Sequence, residues 1–150
     1  MKMLYLSSSL FIFICDRLTK MAALHLVDQK IINNYLSFGL TFNRGINWGL
    51  LNSSNATLFM FLNCVIAFVI LGLIAYAWSL WRMGEQGKLI FGCICIITGA
   101  FSNYIDRLWY GGVIDFIIIS FGSWSWPAFN VADCAILFGL GLMIFETMKK

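Results

Sequence analysis

The chain has 150 residues, of which 61% are hydrophobic, 17% aromatic and only 11% charged, against roughly a quarter charged in an average soluble domain. Its net charge of +3 sets ten basic residues against seven acidic ones, and the basic residues are scattered, so no basic run tracks a phosphate backbone and nucleic acid is not an expected partner. The composition is that of an integral membrane protein, and since a helical crossing takes about 20 residues, the length allows one membrane domain, residues 1–150, without a separate soluble catalytic unit.

Residues 3–15 are apolar apart from three serines, and Asp16, Arg17 and Lys20 then interrupt the pattern before the apolar run 21–27. No Ala-x-Ala-like site follows the apolar core, so this stretch reads as a first transmembrane helix charged near its far end rather than as a cleaved signal peptide. Leu36, Phe38, Leu40 and Phe42 alternate with Ser37, Gly39, Thr41 and Asn43, which is the period of a strand. Asn43, Arg44 and Gly45 offer turn chemistry, and residues 46–51 are predicted to return as a second strand, giving a small amphipathic sheet at the membrane surface.

A second span is predicted over residues 58–81 and a third over 89–105, joined by a polar loop with Gly84 and Gly87 as breakers, so the two helices must be antiparallel. Residues 111–127 are punctuated by Gly111, Gly112, Gly122 and Pro127, and Trp124 and Trp126 suit the headgroup zone. That segment is expected beside the sheet rather than as a span. The last span is predicted over 129–148, ending at Lys149 and Lys150, which can snorkel to an interface. Four spans put both termini on one face. Basic residues divide five and five between the faces, which leaves the positive-inside rule silent. The acids Asp16, Asp28, Asp106, Asp115 and Asp133 gather on the sheet side, which favours cytoplasmic termini.

Cys15, Cys64, Cys93, Cys95 and Cys134 all lie in apolar stretches without Cys-x-x-Cys spacing, and the sole histidine is His25. The thiols are expected as small buried hydrophobes, and neither a metal nor a cofactor is expected. Gly139 and Gly141 can permit close helix packing, either within one bundle or between copies.

Ionisable groups at membrane depth are expensive, so each is a functional candidate unless a structural partner accounts for it. Asp16 and Lys20, four apart, can pair along one helical face. Asn103, Asp106 and Arg107 share a face at the end of the third span, as a capping and ion-pair cluster or as part of a site. Asn130 and Asp133 have N-cap and N3 spacing at the start of the last helix. Asp115, by contrast, has no base within four positions. If Asp115 and Asp133 meet, two carboxyls in a partly dry site share one proton, and such a pair can activate water against a peptide carbonyl without a covalent intermediate.

Several short motifs then point one way: Asp16-Arg17-Leu18-Thr19-Lys20, Asn43-Arg44-Gly45-Ile46-Asn47-Trp48-Gly49, Gly99 with Asn103-Tyr104-Ile105-Asp106-Arg107, Gly112-Val113-Ile114-Asp115-Phe116, and Phe129-Asn130-Val131-Ala132-Asp133. In order and spacing the chain resembles the lipoprotein signal peptidases, or signal peptidase II, almost end to end. The resemblance implies an all-α membrane protein of four transmembrane helices with a small extracytoplasmic β-cradle, in the bacterial cytoplasmic membrane with both termini cytoplasmic. It implies cleavage of diacylglyceryl-modified prolipoproteins just before the lipidated cysteine, with membrane lipid beside the site and the enzyme acting as a monomer. By the same resemblance Asp115 and Asp133 are catalytic, and Asp16, Lys20, Asn43, Gly45, Asn103, Asp106, Arg107 and Asn130 bind substrate or support the site. Ser102 stands where glycine is usual and Trp48 where phenylalanine is commoner.

Other peptidase classes fit less well. Gly-x-Gly-Asp of the presenilin-like proteases and Gly-x-Ser-Gly of the rhomboid-like ones are both absent, and Ser7 to Ser9 lie more than a helical turn from Lys20. The remaining alternative is a transport or assembly protein whose acids pair with Lys20 and Arg107 only to hold helices together.

Overall fold

The computed structural model describes residues 2–26, 28–44, 56–84 and 87–149. Its helices are α1 (Lys2–Ala23), α2 (Ala56–Arg82), α3 (Lys88–Tyr110) and α4 (Val131–Thr147), and its strands are β1 (Lys30–Ile31), β2 (Leu36–Asn43), β3 (Val113–Phe121) and β4 (Trp124–Ser125). Among the described residues, α2 and α3 are long and apolar enough to cross a membrane. α1 carries Asp16, Arg17 and Lys20 within it, and α4 is 17 residues long.

Burial is inverted relative to a soluble bundle. Phe68 and Leu71 on α2 are 77% and 63% exposed, while Asp16, Asp106 and Asn130 are wholly buried. An apolar exterior around a polar interior is stable only where the surroundings are themselves apolar. At one end of the bundle the Tyr5 hydroxyl accepts a hydrogen bond from Gly87 N at 2.8 Å, and Lys88 approaches Glu146 at 3.8 Å. The starts of α1 and α3 and the end of α4 therefore meet at one end, as an even number of antiparallel helices requires.

α3 and α4 pack backbone against backbone. A Cβ on Gly139 would lie 2.5 Å from Gly92 O, and one on Gly99 would lie 2.5 Å from Ala132 O. Only glycine permits helices to approach this closely. Gly139 is thus used inside the bundle, whereas a Cβ on Gly141 would meet nothing within 4 Å. The cysteines divide similarly: Cys93 and Cys95 are buried, but Cys64 and Cys134 are exposed. That corrects the expectation of uniformly buried thiols, because helix faces turned outward also carry apolar residues here.

The strands form one antiparallel sheet in the order β1-β2-β3-β4. β2 has the range the alternation predicts. Its partner, however, is the distant β3, in the segment expected beside the sheet rather than as one of its strands. The first four residues of β3 are all buried, so the strand shows no polar–apolar alternation to betray it. The predicted return strand over 46–51 lies outside the described residues.

Between β2 and β3 the register runs Leu36↔Ile119 and Phe38↔Ile117, then shifts by one to Thr41↔Asp115 and Asn43↔Val113. Two β2 residues, Gly39 and Leu40, thus oppose the single Phe116, which is a β-bulge. Because facing side chains alternate with period two, the shift exchanges the faces of β2. Leu36 and Phe38 share a face with Thr41 and Asn43, and it is the polar pair that stands beside Asp115.

Candidate active site

Asp115 comes from β3 and Asp133 from the first turn of α4, and the chain between them is pinned to the sheet. Phe129 N donates to Ile117 O at 3.0 Å and Ile117 N to Phe129 O at 2.9 Å. The next residue, Asn130, is extended (φ −137°, ψ −178°) and caps α4. Its side-chain oxygen accepts from Asp133 N at 2.9 Å, and Asp133 Oδ2 accepts from Asn130 N at 3.1 Å. This reciprocal box satisfies two helix-end donors and holds the Asp133 carboxylate at the positive end of the helix dipole.

The same Asn130 reaches the other acid. Its Nδ2 donates to Asp115 Oδ1 at 2.7 Å, sharing its protons with Asn103 Oδ1 at 3.1 Å and Ile114 O at 3.2 Å. Asn43 Nδ2 donates to Asp115 Oδ2 at 2.9 Å, and Asn103 Nδ2 to Asp133 Oδ1 at 2.8 Å. Both acids line a cavity of about 200 Å³ together with Asn43, Asn103 and Arg107, with Ile66 and Ile136 in its apolar wall. Burial pushes the Asp115 carboxyl up to about 7; the Asn43 hydrogen bond opposes this and the negative charge of Asp133 adds to it. Arg107 Nη1 is buried and makes no hydrogen bond among the described residues, which leaves a cationic donor at the cavity for an incoming group.

Behind the cavity lies a network of two acids and two bases. Lys20 Nζ is 2.8 Å from both Asp16 Oδ2 and Asp106 Oδ2, and Arg17 Nη2 is 2.7 Å from Asp106 Oδ1 and 3.2 Å from Asp16 Oδ2. Ser102 Oγ donates to Asp16 Oδ2 at 2.7 Å, Ala132 N to Asp16 Oδ1 at 2.8 Å and Ile114 N to Asp106 Oδ2 at 3.3 Å. Buried ions are tolerable only when charge and hydrogen bonds are both balanced, and here α1 is thereby tied to α3 and to the start of α4, and α3 in turn to β3. The third proton of Lys20 goes to Asn103 Oδ1 at 2.6 Å.

Of the residues singled out from the sequence, Asp115, Asp133, Asn43, Asn103 and Arg107 converge on one cavity, and the buried Asn130 bonds both acids from behind it. Asp16, Lys20 and Asp106 stand behind it, and Gly45 lies outside the described residues. The open readings resolve by combination: Asp16 and Lys20 do pair along α1, and Asn130 with Asp133 does cap α4, yet both pairs also connect to the cavity. Arg17 and Ser102 were missed as supports. Arg17 adjoins Asp16 in sequence, and Ser102 was visible as a hydroxyl where glycine is usual.

A second cavity, of about 540 Å³ and mostly apolar, opens beside Asp133 and is lined by Phe121, Trp126, Pro127, Phe129 and Leu137, with Cys134 at its edge. Ring contacts continue outward from it, from Phe121 to Trp124 at 6.3 Å and from Trp124 to Trp126 at 5.7 Å. A polar cavity with two acids thus adjoins a space suited to hydrocarbon.

Residues 8–149 match the family model of signal peptidase (SPase) II. The lipoprotein signal peptidase of Polynucleobacter necessarius subsp. necessarius is 32% identical over 154 residues, covering 97% of this chain and 90% of that protein. That of Burkholderia mallei is 34% identical over 152 residues, covering 97% and 88%. Two solved structures, each described as a bacterial membrane enzyme, superpose with TM-scores of 0.76 at 27% and 26% identity, covering 97% of this chain and 87% and 93% of theirs.

Proposed function

The chain belongs to the signal peptidase II family, which makes it a peptidase of a bacterial membrane, and from that premise we propose that it is an aspartic endopeptidase with Asp115 and Asp133 as its dyad. Its substrates are diacylglyceryl-modified prolipoproteins, cut just before the lipidated cysteine to release the signal peptide. All four helices cross the cytoplasmic membrane as one domain, with both termini cytoplasmic and the sheet extracytoplasmic, and the enzyme works as a monomer.

One observation carries this reading. A single asparagine, Asn130, hydrogen-bonds Asp115 through its side chain and Asp133 through its backbone N–H, at a shared cavity. Two carboxyls held so near each other share one proton. The ionised member takes a proton from water while the protonated one polarises the scissile carbonyl, so hydrolysis requires neither a covalent intermediate nor a cofactor. Arg107, whose Nη1 makes no hydrogen bond among the described residues, is placed to steady the substrate backbone or the developing oxyanion. The adjoining apolar cavity suits the acyl chains of the lipidated cysteine.

The test is cleavage of a lipid-modified precursor by Asp115→Asn and Asp133→Asn enzymes, each verified as folded in the membrane. Both are expected to lose cleavage, and a precursor with an unmodified cysteine is expected to remain uncut by the wild type. Normal cleavage by both variants would return the acids to a helix-holding role.

A further inference from the structure

The two acids differ in what holds them, and the difference begins at a residue that touches neither. Lys20 is 1% exposed, and an ammonium can only donate. The Asn103 atom facing it at 2.6 Å must therefore be the carbonyl oxygen. This turns the Asn103 NH₂ toward Asp133 Oδ1 at 2.8 Å as a donor that cannot be exchanged for an acceptor. The other oxygen of Asp133 meets a backbone N–H, a donor by construction, and the residue sits in the first turn of α4, where the helix dipole favours negative charge. Asp115 is 1% exposed, stands on strand β3 rather than in a helical first turn, and takes its hydrogen bonds from the side-chain amides of Asn43 and Asn130.

We propose that Lys20, acting through Asn103, keeps Asp133 as the carboxylate and so leaves the dyad's single proton on Asp115. This rests on the peptidase reading above. Lys20 is then a positioning residue, Asp133 the base and Asp115 the acid. Asp133 takes a proton from water as the water oxygen bonds to the scissile carbonyl carbon, while the Asp115 proton passes to the carbonyl oxygen as its π bond opens. On collapse the C–N bond breaks, the leaving nitrogen takes the proton held by Asp133, and one diol hydroxyl returns its proton to Asp115. The dyad ends in the state in which it began.

Other charged and titratable groups lie around the pair: Tyr104 and Arg107 line the cavity from α3, Asp16, Arg17 and Asp106 form the network behind it, and Cys134 follows Asp133 on α4. α2 contributes Ile66 to the cavity. Among the cations of the described residues, Lys20 is the one joined to Asp133 through a hydrogen-bonded amide.

The experiment is the pH profile of kcat/KM on a diacylglyceryl-modified precursor. In Asn103→Leu and in Lys20→Met the acid limb, where Asp133 takes up its proton, is expected to move up by about one pH unit or more. The double variant is expected to move no further than the larger single one, because both act along one path. Should Lys20→Met fail to fold, the charge-balanced Lys20→Met/Asp106→Asn leaves Arg17 paired with Asp16 and reads the same limb, and Asn103→Leu keeps the ionic network intact. A lower rate at every pH with both limbs unmoved makes Lys20 merely structural and overturns the inference. Shifts that add in the double variant overturn it as well. The peptidase reading fails separately, when Asp115→Asn and Asp133→Asn both cut.

Discussion

One added methyl at Gly99 measures how closely the position of α4 governs cleavage. A Cβ there would lie 2.5 Å from Ala132 O and 2.9 Å from Ile136 Cγ1, about 1 Å inside ordinary contact. Ala132 is fully buried, and its N–H is bonded to Asp16, so the first turn of α4 must move as a unit and carry Asp133 with it. Overpacking of this kind costs about 1–3 kcal/mol, and a displacement of about 1 Å at a reacting group lowers a rate roughly 100-fold. Gly99→Ala is therefore expected to insert and fold, to lose about 1–3 kcal/mol in detergent unfolding followed by circular dichroism, and to cleave about 100-fold more slowly in single turnover. Gly92→Ala creates a like clash, 2.7 Å from Gly139 O, but about 10 Å further along α3; it should destabilise comparably and cut within a few-fold of wild type. Gly141→Ala, with nothing within 4 Å, should do neither. Wild-type cleavage by Gly99→Ala, or equal slowing by Gly92→Ala, would refute the coupling of α3–α4 spacing to the dyad.

Asp115 holds its proton to about pH 7 when folded and to about 4 in an unfolded chain. Its contribution to stability is therefore complete below pH 4 and lost as pH rises to 7, by up to about 4 kcal/mol. Unfolding of Asp115→Asn and wild type should thus diverge across that window, and parallel curves would count against the shift. Asn43→Leu removes the 2.9 Å hydrogen bond to Asp115, worth about 0.5–1.5 kcal/mol to the protonated acid and more to its carboxylate; it should slow cleavage up to about tenfold and move the alkaline limb of its pH profile above the wild-type position, since Asn43 lowers the pKa of Asp115. Ser102→Gly takes away the 2.7 Å donor to Asp16 but leaves Lys20, Arg17 and Ala132 N in place. A loss of about 1 kcal/mol in unfolding with cleavage within a few-fold is expected, and abolished cleavage would show that Ser102 reaches the site itself.

Helices were legible because their signals are local. An uncharged run announced α2, and Pro127 followed by Asn130 and Asp133 announced the start of α4. The sheet was legible only by half: β2 shows its alternation, whereas β3 is buried on both faces over its first four residues and reads as plain hydrophobic sequence. Read straight through, the alternation of β2 would turn Leu40 and Phe42 toward Asp115. The bulge at Gly39 and Leu40 turns Thr41 and Asn43 there instead, and a register shift depends on the partner strand, which no local pattern contains. Asp115 stood out by lacking a nearby base, but its partners, Asn43 and Asn130, lie 72 and 15 residues away. The ionic network was half visible for the same reason: the Asp16–Lys20 pair follows from spacing along α1, while its bonds to Asp106, Ser102 and Ala132 exist only once three helices have met.

Asn130 is where these strands of organisation cross. It closes the end of α4, orders Asp133 and steadies Asp115, all with one carboxamide and one peptide N–H. The two acids are therefore not independently adjustable parts. Any substitution at Asn130 would loosen both carboxyls and the start of α4 together, so this one buried position tolerates little change however far the rest of the site drifts.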